Sequence, residues 1–156
     1  GGLGQCYLKL ERYAEAAAQF AEAVRLNPQN TVVRNMLGVA YINLMRYEDA
    51  KKQFAIAIKA NPEFLGAYLN LGRICENAGD YKAAVRIYAG AFEHIITKEE
   101  TAVIYIRIGD AYLASGLAGK AKEFYSKARA LYGPAIPEVL RKILDEKEAG
   151  ISKVTK

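Results

Sequence analysis

Histidine, cysteine and clustered carboxylates are the residues that most often perform catalysis or hold metals, and this chain has few of them. His94 is the one histidine, and Cys6 and Cys75 are the two cysteines. A histidine-rich metal site or a Cys–His nucleophile pair would have to use His94. It lies in Phe92-Glu93-His94-Ile95-Ile96, an irregular junction where a surface or interhelix role is the plainer reading. Asp80, Asp110 and Asp145 belong to different turns or helices and share no pattern. The glycines are spaced along the chain and form no phosphate-cradling loop. These residues predict no enzyme, no cofactor and no metal site.

The spacing of the glycines carries more. Gly4, Gly38, Gly72 and Gly109 recur at intervals of 34, 34 and 37 residues, each followed three positions later by an aromatic or small residue. Other positions keep the same phase: Tyr13, Tyr47 and Tyr81; Ala16, Ala50, Ala84 and Ala121; Phe20, Phe54, Tyr88 and Tyr125; Ala23, Ala57, Ala91 and Ala128; Pro28 and Pro62. So many matches in one phase define a repeat protein. Each unit holds two amphipathic helices. Mid-helix glycine costs about 1 kcal/mol, and a chain accepts that four times only where two backbones approach closely.

Residues 1–30 form a repeat lacking its opening turn, which predicts that the chain's start is a boundary made by processing or truncation. Complete repeats follow at 31–64, 65–97 and 98–133. Asn27-Pro28 ends a helix running from Tyr13 to Leu26, because the residue before proline avoids the α region. Gly79-Asp80 and Ser115-Gly116 are stop-and-restart signals. Thr97-Lys98-Glu99-Glu100 is a capping box. The three extra residues at this junction predict that the next helix starts about a turn early, or that the preceding one runs a turn longer. Residues 135–149 read as a capping helix with Ile136, Leu140, Ile143 and Leu144 inward; Gly150 ends it, and 150–156 are a flexible tail. The whole of 1–149 reads as one domain.

Composition narrows the function classes. A net charge of +5 invites a nucleic-acid or membrane-surface reading. The cations, however, are scattered and have acids within a turn or two, which predicts a solvated surface and no nucleic-acid partner. No apolar run approaches the roughly 20 residues that a spanning helix needs, so no direct membrane insertion is expected. Cys6 and Cys75, falling on separated first helices, read as small buried apolar residues, and favour a reducing, cytoplasmic compartment. A chain that opens within a repeat says nothing about a leader.

The unit closely resembles the tetratricopeptide repeat (TPR). In repeat two the shared residues are Leu37, Gly38, Tyr41, Ala50, Phe54, Ala57 and Pro62. In repeat three they are Tyr68, Leu71, Gly72, Tyr81, Ala84, Tyr88 and Ala91, with Cys75 replacing the tyrosine. In repeat four they are Tyr105, Ile108, Gly109, Tyr112, Ala121, Tyr125 and Ala128. The resemblance implies an all-α, right-handed superhelical solenoid of antiparallel helix pairs, about 3.5–4 repeats with a C-terminal capping helix. It also implies that the first helix of each repeat lines a concave groove for a peptide or protein segment.

By phase, the groove positions are Asn35, Met36, Val39 and Asn43 in repeat two, Leu69, Asn70, Arg73 and Asn77 in repeat three, and Ile106, Arg107 and Asp110 in repeat four. Val32 belongs with those of repeat two and Leu113 with those of repeat four, and repeat one contributes Gln5 and Lys9. Asn70 and Arg107 have the chemistry to grip a peptide backbone or a carboxylate. The carboxylate clamp of TPR cochaperones needs further lysine and asparagine positions, which hold Asn35, Val39 and Val103 here, so only the Asn70 and Arg107 positions match and a chaperone-tail binder of that type is not expected. Two readings follow: a non-enzymatic scaffold or adaptor that binds a protein partner, or a structural element that self-associates into homo-oligomers through its groove or an open repeat end.

Overall fold

The computed structural model describes residues 2–95 and 97–154, and all regular structure within them is helical. The helices are α1 (Gly2–Lys9), α2 (Tyr13–Leu26), α3 (Thr31–Asn43), α4 (Tyr47–Ala60), α5 (Leu65–Asn77), α6 (Tyr81–Gly90), α7 (Lys98–Ala114), α8 (Ala118–Ala130) and α9 (Glu138–Val154). Short 3-10 turns occupy Ala91–Glu93 and Gly133–Ala135. The chain clusters into two compact units, Gly1–Ile74 and Cys75–Lys156, where the repeat pattern alone predicts one domain over 1–149. Each helix of a repeat array packs mainly on its sequence neighbours, so contacts are local and such a division is natural.

Helix boundaries follow from side chains that complete the orphan backbone groups. Asn30 caps α3 by accepting from the Val33 N–H (3.0 Å), and Asp80 caps α6 by accepting from the Ala83 N–H (2.9 Å). The Thr97 hydroxyl accepts from the Glu100 N–H (3.2 Å) and donates to the Glu100 carboxylate (2.7 Å). That capping box starts α7 early: it has 17 residues against 13 in α3 and α5, about one turn more. The preceding helix shortens instead of lengthening, with α6 closing into the 3-10 turn at Ala91–Glu93. Ile96, within the irregular junction, lies outside the described residues.

The turn inside each repeat needs one residue in the left-handed region. It is Gly79 (φ 76°) and Gly116 (φ 81°) in the later repeats, but Glu11 and Met45 (both φ 57°) in the earlier ones. All four sit in the repeat's phase.

In the first unit, Ala16, Ala17, Phe20, Leu37 and Ala40 form one buried cluster, and Ala50, Phe54, Ala57, Ala67 and Ile74 form the next. Phe20 and Phe54 are almost wholly buried, which contributes about 1.5–3 kcal/mol each. The reason for the repeated glycine is visible here. A Cβ on Gly4 would lie 2.7 Å from Cε1 of Phe20, and one on Gly38 would lie 2.5 Å from Cε1 of Phe54. The glycine therefore seats the edge of an aromatic ring, rather than bringing two backbones together as the sequence suggests.

In the second unit the same arrangement joins Gly109 to Tyr125. Ala121, Tyr125, Ala128 and Leu144 form the buried centre, with Ile136 and Ile151 at its edge. Beside it an aromatic row runs from Phe92 to Tyr105 (5.0 Å between centroids), Phe124 (6.0 Å) and Tyr112 (5.4 Å).

Several expectations change. The last helix begins at Glu138 rather than 135, because the 3-10 turn and Pro137 precede it. It passes through Gly150 to Val154, and Ile151 is buried, so 150–154 are helix and not a tail. Thr155 and Lys156 lie outside the described residues. Ile143 faces solvent (38 % exposed) while Leu144 is fully buried. Cys6 is exposed and Cys75 half-buried, so neither is the fully buried thiol expected.

Candidate partner-binding faces

On the first unit, α3 and α5 bring together Asn35, Met36, Val39, Leu69, Asn70 and Arg73. Asn35 is buried at 7 % exposure, although its type suggests a surface position. Its Oδ1 accepts a hydrogen bond from Asn70 Nδ2 at 2.9 Å, and Arg73 Nη2 approaches Asn70 Oδ1 at 3.4 Å. The two carboxamides thus form a ladder from the interior outward that ends on an exposed guanidinium. A buried amide is tolerable only when its partner is kept, so Asn35 fixes the orientation of Asn70. Met36 packs on the first cluster and Val39 on the second, leaving each half-buried. Leu69 is half-buried as well. Asn43 is exposed, and its Nδ2 donates to the Val39 carbonyl at 2.9 Å, closing on its own helix.

On the second unit, Asn77 and Arg107 are exposed and Ile106 is half-buried, packed on the core that α8 and α9 share. Asp110 is the centre of a network. The Tyr125 hydroxyl donates to its Oδ1 (2.8 Å), Lys147 Nζ of α9 pairs with the same oxygen (2.7 Å), and Arg107 Nη1 lies 3.9 Å from Oδ2. Asp110 is therefore an internal anchor and not a free acceptor for a partner. Burial first, and the bond to Asp110 second, push the Tyr125 phenol well above the usual range. Arg107, half exposed and only loosely held by Asp110, keeps its donors available. Lys147 and Tyr125 were not legible as site residues, because α9 falls outside the repeat phase and Tyr125 reads as a packing position.

Among the described residues no group of three or more His, Cys, Asp or Glu is placed to hold a metal ion. No helix there is long and apolar enough to cross a membrane.

Family models described as tetratricopeptide repeat match residues 7–62, 35–93 and 102–131. This chain belongs to the tetratricopeptide repeat family. Its TPR units therefore have the helix pairs α1–α2, α3–α4, α5–α6 and α7–α8, followed by α9. Among solved structures it is similar to the MamA protein, at 24 % identity over 87 % of this chain and 76 % of that one, with a TM-score of 0.70. It is also similar to a thermophilic TPR protein of Thermus thermophilus (22 % identity, 93 % and 77 % covered, TM-score 0.72). A third similarity is to PilF of Pseudomonas aeruginosa (18 % identity, 97 % and 65 % covered, TM-score 0.76). At these identities the likeness speaks for the TPR solenoid fold alone. No similar sequence was found among curated proteins.

Proposed function

We propose that this TPR protein is a non-enzymatic interaction module that holds segments of a partner protein on two faces, that of α3 and α5 in the first unit and that of α7 in the second. The observation that carries this is the Asn35–Asn70–Arg73 ladder. A buried asparagine is spent on orienting a second one, which in turn stands beside an exposed arginine, with Met36, Val39 and Leu69 supplying apolar area around them. Arg73 and Arg107 are the cations for a carboxylate, which a guanidinium fork binds in two-pronged fashion. Asn70 offers both a donor and an acceptor to a peptide backbone.

The test is affinity capture with the wild-type chain, peptide mapping of the retained proteins, and titration of the mapped segment. Arg73→Glu and Arg107→Glu should each weaken binding of the segment that its own face holds, while circular-dichroism melting stays unchanged. Full retention of the segment by both variants would show that these faces are not used. If the retained protein is a second copy of this chain, light scattering over a concentration series will show mass rising with concentration, and the module is then a self-associating one.

A further inference from the structure

A second surface lies on the second unit, where α6, the end of α7 and the start of α8 enclose a cleft of about 520 Å³. Asn77, Ile106, Arg107 and Asp110 take no part in lining it, so it is separate from the face discussed above. Its rim carries Lys82, Arg86 and Lys120, and no carboxylate is among its lining residues. Lys82 and Arg86 are four apart on α6 and so project from one helix face. Neither they nor Lys120 makes an ion pair among the described residues. Lys120 instead lies over the Tyr112 ring, 5.2 Å from its centroid.

The floor has the opposite character. Tyr81 and Tyr112 are half-buried, and Leu117 is a large apolar side chain left 48 % exposed at the mouth. Tyr112 is braced from behind by Phe124 at 5.4 Å, so its ring is held before any ligand arrives. Preorganised aromatic surface loses little freedom on binding. The complement of an apolar floor under an unneutralised cationic rim is an apolar side chain flanked by carboxylates. The cleft is open, with all three cations and Leu117 exposed, whereas small-molecule sites bury most of their ligand. An extended chain running across it satisfies the geometry better.

We propose that this cleft docks an acidic segment of a partner protein, one aromatic side chain resting on Tyr81, Tyr112 and Leu117 while flanking carboxylates pair with Lys82, Arg86 and Lys120. The site shares no lining residue with the α3–α5 face or with Ile106, Arg107 and Asp110 of α7, so either can fail without the other.

The experiment is fluorescence anisotropy of a labelled Glu-Glu-Phe-Glu-Glu peptide against the full chain at near-physiological salt. Saturable binding is expected. The double variant Lys82→Glu/Arg86→Glu should weaken it by about tenfold, and Leu117→Asp should weaken it similarly. Lys52→Glu/Lys59→Glu changes the net charge equally but lies on α4 of the first unit, and should leave binding nearly unchanged. Replacing the peptide's phenylalanine by alanine should also cost about tenfold. Matching circular-dichroism spectra establish that the variants are folded. Equal weakening by the two charge-reversal pairs would mean attraction to net charge alone and would overturn the proposal. So would the absence of saturation, or undiminished binding of the alanine peptide.

Discussion

Gly38 illustrates how one residue type can be dictated by a neighbour's ring. Alanine there would gain about 1 kcal/mol of helix propensity. Its Cβ, however, would press on Phe54, whose ring is fully buried and has nowhere to move. Overpacking of this kind costs about 1–3 kcal/mol, so Gly38→Ala should lower the urea midpoint, and Phe54→Leu in the same chain should recover part of the loss. Met45 presents the opposite case. It is 78 % exposed with φ 57°, a region that costs an L side chain roughly 1–2 kcal/mol. Met45→Gly removes that strain at some cost in unfolded-chain entropy, and should raise stability by up to about 1 kcal/mol in denaturant melts. Tyr125 links a single residue to pH. Its phenol is raised in the folded state, so the neutral form is the favoured one. The stability this contributes is whole below the unfolded value of about 10 and declines as pH rises past it. Urea midpoints of the wild type should fall more steeply above about pH 10 than those of Tyr125→Phe.

The helices show which parts of the fold a sequence can announce. Asp80 and Thr97 could be read as caps because capping chemistry admits few residue types, and the early start of α7 followed from the three extra residues beside Thr97. The glycine–ring contacts were readable as a repeat for the same reason, although ring seating and backbone approach leave the same trace in sequence. The positive φ at Glu11 and Met45 left no trace, since packing of the flanking helices imposes the turn and outweighs the strain of a residue type that does not signal it. Asn35 reads as a groove residue, but its burial was hidden because its partner Asn70 comes from the next repeat. That pairing also changes what Asn70→Ala does. It strands a buried amide, which costs about 1–3 kcal/mol, so loss of binding in that variant would be ambiguous in a way that Arg73→Glu is not. The reach of α9 was misjudged for a tertiary reason: Gly150 looks like a stop, but Ile151 lies seven residues beyond Leu144, on the same face, and is drawn into the core. A Cβ at Gly150 would meet nothing within 4 Å. Gly150→Ala should therefore stabilise the protein by about 0.5–1 kcal/mol, a gain that would vanish if the helix ended there.

For the molecule as a whole, the question is what closes the last apolar face of a repeat array. Each repeat buries its stripe on the next, so the final pair needs a substitute. Here α9 supplies Leu144 and Ile151 to the core around Tyr125, and binds outward through Lys147 to Asp110 and through Asp145 and Glu148 to Arg129 (2.8 and 3.1 Å). The ion pairs are partly exposed and add little individually; apolar burial should dominate. Ile151→Ala should then cost about 2 kcal/mol, whereas Asp145→Ala should cost less than about 1 kcal/mol. Because stability in such arrays is close to a sum of neighbour terms, hydrogen exchange should accelerate in α8 and α9 of Ile151→Ala and stay unchanged in α3 and α4. Equal costs for the two variants would mean that charge rather than burial holds α9, and uniform acceleration along the chain would mean that the array melts as one.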